Sequence, residues 1–135
     1  MDRAPTELPT GSAGVLLLED DPGVREVTAA MLRDLGYAVH EAATGEEALA
    51  LLRADGHGIT LLLADVVLPG GMKGDAVARE AQRLRPGLRV LFMSGYTENA
   101  IVHQGRLDDG VQLIGKPFQR DQLARKVATV LASIP

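Results

Sequence analysis

Five short aliphatic runs recur along the chain and constrain its fold more than any other feature of the sequence. The runs are VLLL (15–18), YAVHEA (37–42), TLLLA (60–64), LRVLFM (88–93) and VQLI (111–114). Aliphatic runs bounded by turn residues are typical of strands buried on both faces, the usual state of strands in a parallel sheet. The sequence therefore predicts an α/β fold: a doubly wound, five-stranded parallel sheet with right-handed crossovers and helices on both faces.

The segment after the first run carries the signals of a helix at both of its ends. Asp21 can cap the helix with Pro22 at its first position, and Gly36 can end it. The apolar residues of this segment recur at helical spacing and predict one buried stripe, formed by Val24, Val27, Met31 and Leu35.

Further helices are predicted between and after the remaining runs. Thr44 and Glu47 form a capping box at the start of the second helix. Residues 75–85 and 119–133 have striped apolar patterns typical of helices. Residues 97–107 have a sparser pattern, which predicts a short or irregular helix.

Length and composition predict one domain with an aliphatic core. The chain has 135 residues, of which 46% are hydrophobic, but it has only two Phe, two Tyr and no Trp. Residues 1–13 contain two prolines and no periodic apolar pattern, so we expect a flexible tail or linker there. The domain is accordingly expected to span residues 14–135.

Charge and residue usage exclude several classes of function. A net charge of -4 and the lack of a basic run argue against binding to nucleic acid or to an acidic membrane surface. With no cysteine, the chain cannot form disulfides, zinc–thiolate sites or a thiol nucleophile. No apolar stretch is long enough to span a membrane, and the N-terminus does not have the pattern of a signal peptide. We therefore expect a cytoplasmic protein.

Polar residues follow four of the predicted strands at the ends where such sheets place their ligands. Glu19 and Asp20 follow the first strand, Asp65 the third, Ser94 the fourth and Lys116 the fifth. Because the carboxyl ends of parallel strands meet at one edge of the sheet, the sequence predicts a single crevice. That crevice would contain three carboxylates, a hydroxyl and an ammonium.

This set of groups suits phosphoryl transfer to a carboxylate. Clustered carboxylates repel one another unless a cation joins them, and Mg²⁺ favours one or two carboxylates together with waters and phosphate oxygens. A carboxylate that stays anionic can then attack phosphorus and form an acyl phosphate. The ion and Lys116 would screen the charge of the transferred group, and Ser94 would donate to one of its oxygens.

On these residues, over about positions 14–134, the sequence resembles the receiver domains of two-component response regulators. The resemblance implies the flavodoxin-like strand order 2-1-3-4-5. It also implies that Glu19 and Asp20 bind Mg²⁺, with Mn²⁺ as a substitute. Asp65 in LLLADVVLP matches the phosphoacceptor, which is also a metal ligand, and the main-chain carbonyl of Val67 matches the remaining metal contact.

The end of the chain extends the resemblance. Ser94 in FMSGY matches the switch hydroxyl of the family, and Lys116 in GKPF matches its lysine, which a cis peptide bond to Pro117 usually follows. The position of the family's switch aromatic is occupied by Leu113, so coupling through an aromatic rotamer is not available at that site. Together, DVVLPGGMKG, SGYTENAIVHQGRL and GKPF resemble receivers attached to hybrid sensor histidine kinases.

Two positions near the acceptor predict a long-lived phosphoryl group. Relatives with fast self-dephosphorylation carry polar side chains two residues after the acceptor and two residues after the switch hydroxyl, and these orient the attacking water. Here the positions hold Val67, which cannot form a hydrogen bond through its side chain, and the bulky Tyr96.

The resemblance implies a signalling function rather than an enzyme that acts on other molecules. The donor would be a phosphohistidine protein, either a kinase domain or a phosphotransfer domain, and phosphorylation would switch a surface for a downstream protein or for a homodimer. A stand-alone regulator and a piece of a hybrid kinase both fit. One alternative is a pseudo-receiver that only binds partners, although that variety typically loses residues that are intact here. Another is a Mg²⁺-dependent aspartyl phosphohydrolase, whose second acid would stand at Val67.

Overall fold

A computed structural model describes residues 11–54, 58–66, 73–94 and 112–132, and it contains a parallel sheet of five strands. In chain order the strands are β1 (Gly14–Leu18), β2 (Ala38–Ala42), β3 (Ile59–Asp65), β4 (Arg89–Ser94) and β5 (Gln112–Gly115). The helices in the described ranges are α1 (Pro22–Asp34), α2 (Gly45–Ala54), α3 (Gly74–Leu84) and α4 (Arg120–Ala132). The strands lie in the order β2-β1-β3-β4-β5, which confirms the predicted fold class and strand order.

The sheet separates two aliphatic cores, because successive side chains of a strand point to opposite faces. On one face, Val15 and Leu17 of β1 pack with the buried residues of α1 and α4. On the other face, Leu16 and Leu18 pack with those of α2 and α3. The predicted arrangement of helices on both faces is therefore confirmed.

Helix α1 has the predicted ends. Asp21 is the N-cap, and its Oδ1 accepts a hydrogen bond from the Val24 N–H at 3.0 Å. Pro22 is the first helical residue. After the helix, Gly36 has a φ of 103°, a left-handed conformation that glycine adopts without a steric penalty.

The predicted apolar stripe of α1 is wrong at its first two members. Val24 is 37% exposed and Val27 is 55% exposed, whereas the buried face of the helix is formed by Thr28, Ala29 and Leu32. The small side chains of Thr28 and Ala29 let the helix lie close to the sheet, and Leu32 fills the core. The apolar pattern could not distinguish this face from the predicted one, because the two faces are adjacent and both contain aliphatic residues.

The other described helices follow the sequence patterns. At the start of α2, the Glu47 N–H donates to Thr44 Oγ1 at 3.1 Å, and the Glu47 carboxylate accepts from the Ala43 N–H at 2.6 Å. Helix α4 lies within the predicted range 119–133 and buries Leu123, Ala124, Val127 and Val130. The helix predicted within 97–107 lies outside the described residues. Among the helices that are described, none combines the length and apolar character needed to cross a bilayer.

The chain contacts the folded domain from Gly11 onwards. The Gly11 N–H donates to the Leu35 carbonyl at 3.1 Å, and the Ala13 carbonyl accepts from the Ala38 N–H at 3.1 Å. Residues 1–10 lie outside the described residues. The boundary drawn between a tail and a domain at residue 14 therefore stays a prediction.

Candidate functional site

The sheet register brings the predicted site residues to one edge. Strand β1 pairs with β3 so that Leu18 lies beside Ala64, and the next residues along these two strands are Glu19 and Asp65. Strand β4 ends at Ser94, which pairs with Gly115, the last residue of β5. Lys116 follows directly. The carboxyl ends of β1, β3, β4 and β5 thus meet where parallel α/β sheets bind their ligands.

Three carboxylates converge at this edge. Glu19, Asp20 and Asp65 each offer an oxygen, and these oxygens all lie within 4.8 Å of one another. Glu19 is 1% exposed and Asp65 is 5% exposed, whereas Asp20 reaches solvent. The structure therefore brings the predicted acids together, with one of them at the mouth of the crevice.

Lys116 bridges the two buried acids. Its Nζ donates to Glu19 Oε1 at 3.1 Å and to Asp65 Oδ2 at 2.9 Å, and its side chain is 21% exposed. Its main-chain N–H donates to the Ser94 carbonyl at 2.7 Å. The Lys116–Pro117 peptide bond is cis, as the resemblance implied. A single lysine thus connects the ends of β1, β3 and β4.

Every polar atom of Glu19 has a partner in the described part of the chain. Its N–H donates to the Ala42 carbonyl at 3.0 Å, and its Oε2 accepts from the Asp21 N–H at 3.1 Å, while Oε1 binds Lys116. Its main-chain carbonyl accepts from Arg25 Nη1 at 2.8 Å. No motif in the sequence pointed to Arg25. The available signal was its spacing. Arg25 precedes Thr28 by three residues and Ala29 by four, and both of those residues lie on the buried face of α1.

These contacts shift the pKa of two groups in the site. Burial raises the pKa of the Glu19 carboxyl, the charge of Asp65 adds to that effect, and the contacts from Asp21 and Lys116 only partly offset it, so the pKa lies above 4.5. Burial acts to lower the pKa of the Lys116 ammonium. Its hydrogen bonds to Asp65 and Glu19, with their charges, outweigh burial and hold this pKa above 10.5. Lys116 is therefore protonated at neutral pH.

The charges in the site suit a divalent cation. When ionised, the three carboxylates carry three negative charges against the one positive charge of Lys116, which leaves two negative charges uncompensated. Carboxylate oxygens are the ligands that Mg²⁺ prefers, and that ion usually takes few of them from the protein. Glu19, Asp20 and Asp65 could hold such an ion. Val67, whose carbonyl was predicted as a further ligand, lies outside the described residues.

The main chain directly after Asp65 forms hydrogen bonds with β4 and with α3. The Val66 N–H donates to the Met93 carbonyl at 2.9 Å, and the Val66 carbonyl accepts from the Gly74 N–H at 3.1 Å. Gly74, the first residue of α3, lies so close that a Cβ there would be 2.1 Å from the Asp65 carbonyl oxygen. This contact of Gly74 could not be predicted from the sequence, because it depends on how α3 packs against β3.

Of the remaining predicted residues Ser94, Leu113 and Tyr96, the structure describes the first two. Ser94 is fully buried and follows Met93, the register partner of Asp65. Leu113, at the position of the family's switch aromatic, is half-buried against the core beneath α2 and α3. Tyr96 lies outside the described residues.

Comparison with known proteins identifies the family. The family model described as the response regulator receiver domain matches residues 15–128. The chain is 38% identical over 122 residues to the sensor kinase CckA of Brucella abortus, which covers 90% of this chain and 13% of the kinase. It is 29% identical over 117 residues to the receiver protein CpdR of Brucella abortus, covering 87% of this chain and 95% of CpdR.

A solved structure agrees with these sequence relationships. The receiver domain of the hybrid histidine kinase CckA superposes with a TM-score of 0.73 at 34% identity, covering 88% of this chain and 99% of that domain. The sheet order is the one that the resemblance implied. The chain therefore belongs to the response regulator receiver domain family of two-component signalling.

Proposed function

We propose that this receiver domain takes a phosphoryl group onto Asp65 from a phosphohistidine protein, with Mg²⁺ bound by Glu19, Asp20 and Asp65. The main-chain carbonyl of Val67 is proposed as a further ligand, and Mn²⁺ as a substitute ion. The observation that carries the proposal is the environment of Asp65. Its carboxylate is buried, lies within 4.8 Å of two other acids and accepts from Lys116 at 2.9 Å.

The proposed reaction forms one bond and breaks one bond. A carboxylate oxygen of Asp65 attacks phosphorus, an oxygen–phosphorus bond forms, and the phosphorus–nitrogen bond to the imidazole of the donor breaks. The donor imidazole carries a proton on its other ring nitrogen, so it takes the bonding electron pair and leaves as neutral imidazole. When bound, Mg²⁺ supplies charge neutralisation and orients the phosphoryl oxygens. Lys116 stays protonated and stabilises negative charge on the transferred group, and the Ser94 hydroxyl donates to one of its oxygens.

Phosphorylation would change the charge and the contacts at the end of β3. Phosphoryl oxygens on Asp65 would compete with the carboxylates for the Lys116 ammonium and would attract the hydroxyl of Ser94. Both residues lie at the ends of β4 and β5, so we propose that the surface beside these strands switches on phosphorylation. A downstream protein or a second copy of the chain would bind there.

The setting of the domain is part of the proposal. We propose that the domain acts in the cytoplasm, together with its phosphohistidine donor. The donor would be a histidine kinase or a phosphotransfer domain. The chain spans 13% of the sensor kinase CckA and 25% of the transcriptional regulator DctD of Rhizobium meliloti. Both a piece of a longer protein and a stand-alone regulator are consistent with these lengths.

The two alternative functions are not favoured. A pseudo-receiver that only binds partners has no need for three convergent acids, two of them bridged by a half-buried lysine, and here these residues are intact. An aspartyl phosphohydrolase would need a second acid two residues after the nucleophile, where this chain has Val67. Because Val67 and Tyr96 cannot readily position an attacking water, we propose a long-lived phosphoryl group, and rapid decay in the presence of Mg²⁺ would contradict this.

The test is intact mass spectrometry after incubation with acetyl phosphate, with Mg²⁺ and with a chelator in its place. Wild type should gain one phosphoryl group, about 80 Da, only with Mg²⁺, and Asp65→Asn should gain none. Asp34→Asn is the matched control. It removes an exposed carboxylate at the end of α1, where Asp34 pairs with Arg120 and not with any of the predicted site residues that the structure describes. Labelling of Asp65→Asn at the rate of wild type would exclude Asp65 as the acceptor.

A further inference from the structure

An arginine on α1 contacts the main chain of the acidic pair. Arg25 Nη1 donates to the Glu19 carbonyl at 2.8 Å, and Arg25 Nε lies 3.6 Å from Glu41 Oε1 on β2. The other carboxylate oxygen of Glu41 pairs with Arg33 at 3.1 Å. Arg25 therefore joins the first helix, the second strand and the turn that carries Glu19 and Asp20.

The carbonyl that Arg25 binds is in a buried residue. Because Glu19 is 1% exposed, loss of the arginine would leave this carbonyl without its protein donor and without free access to water. The turn would then relax towards solvent to satisfy it. Such a movement would carry both acids with it, because Glu19 and Asp20 are consecutive residues of that turn.

We propose that Arg25 is a positioning residue for the acidic pair. By holding the Glu19 carbonyl, it fixes the turn from which Glu19 and Asp20 present their carboxylates to a divalent cation. In this role the arginine acts through the Glu19 main chain and needs no contact of its own with the ion or the phosphoryl group. This inference rests on the proposed function, because it assigns Arg25 a role in cation binding at that site.

Arg33 provides a matched control within the same helix. It pairs with the same Glu41 and, like Arg25, donates to one main-chain carbonyl, that of Val39 at 3.2 Å. Arg25→Gln and Arg33→Gln therefore remove the same kinds of contact. They differ in that only Arg25 binds the main chain of a predicted metal ligand.

The experiment measures Mn²⁺ affinity by electron paramagnetic resonance for wild type, Arg25→Gln, Arg25→Lys and Arg33→Gln. Arg25→Gln should weaken Mn²⁺ binding by about 10-fold or more, the usual effect of losing a group that orients a metal ligand. Arg33→Gln should stay close to wild type. Arg25→Lys should recover most of the affinity, since an ammonium can still donate to the Glu19 carbonyl. Urea unfolding of each variant separates these effects from global stability.

Hydrogen exchange without metal gives a second readout. The Asp21 N–H donates to Glu19 Oε2, so its exchange should speed up in Arg25→Gln and stay unchanged in Arg33→Gln. Equal Mn²⁺ affinity and equal Asp21 exchange in the two glutamine variants would overturn the role of Arg25 and leave the proposed function standing. A wild-type protein that does not bind Mn²⁺ would overturn both.

Discussion

Replacing Gly74 with alanine should disturb the phosphoacceptor through its main chain. A Cβ at this position would lie 2.1 Å from the Asp65 carbonyl oxygen, 2.9 Å from the Val66 carbonyl oxygen and 3.0 Å from Val66 Cα. The nearest of these distances is about 1.3 Å shorter than the 3.4 Å at which ordinary contact begins. All three atoms belong to the backbone of β3 and the residue after it, so no side-chain rotation can relieve the overlap.

The size of the effect follows from two opposing terms. Alanine is favoured over glycine within a helix by about 1 kcal/mol, but overpacking a close contact costs about 1–3 kcal/mol. Because α3 must move away from β3 by about 1 Å, the difference between these terms is a net loss of stability of up to about 2 kcal/mol. A displacement of that size at a reacting group can also slow chemistry by up to about 100-fold. Phosphorylation of Asp65 should therefore slow more than the small loss of stability can explain.

Gly87→Ala is the matched control, because no atom lies within 4 Å of a Cβ built on Gly87. Urea unfolding and the rate of labelling by acetyl phosphate with Mg²⁺ should be measured for both variants. Gly87→Ala should behave like wild type in both assays. If Gly74→Ala were as stable as wild type and were labelled at the same rate, the close approach of α3 to Asp65 would not affect phosphorylation, and the reasoning would be refuted.

Three further predictions concern other parts of the domain. Because burial holds the pKa of Glu19 above 4.5, its ionisation opposes folding, and the stability of metal-free protein should fall as the pH rises through that raised pKa. At neutral pH and without metal, Glu19→Gln should therefore unfold at a higher urea concentration than wild type, and below pH 4.5 the two proteins should unfold at the same concentration. If Glu19→Gln unfolded at a lower urea concentration than wild type at neutral pH, the predicted direction would be wrong. The Thr60 hydroxyl is buried and has no hydrogen-bond partner among the described residues. Thr60→Val should therefore leave the free energy of unfolding in urea unchanged or raise it by up to about 1 kcal/mol. A clear loss of stability would show that the hydroxyl has a partner. Val27 is 55% exposed on α1, the helix that begins at the acidic turn, so Val27→Asp should slow transfer from a phosphotransfer domain by about 10-fold while labelling by acetyl phosphate stays unchanged. Equal slowing with both donors would argue against a docking role for that face.

The sequence predicted the strands and the convergent acids because both follow from simple periodic rules. Aliphatic runs such as VLLL indicate buried strands, and parallel pairing then brings their carboxyl ends to one edge. The orientation of α1 could not be predicted in the same way, since the small residues Thr28 and Ala29, and not the more apolar Val24 and Val27, face the sheet.

The supporting contacts of the site were harder to foresee than its charged groups. Arg25 and Gly74 contact main-chain carbonyls. Every residue has such a carbonyl, so no sequence pattern can indicate which one will be contacted. Such contacts become visible only when the elements are packed together. Val67 and Tyr96 lie outside the described residues, so the prediction of a slow decay of the phosphoryl group still depends on sequence alone.

The two hydrogen bonds of Lys116 have a consequence for how ligands combine at this site. Its ammonium lies between Glu19 and Asp65 and donates to both carboxylates. An incoming cation that takes over these carboxylates would release the ammonium, which could then turn to a phosphoryl oxygen. Phosphorylation of Asp65 should therefore raise the affinity for the cation, and the cation should favour phosphorylation at equilibrium by the same factor.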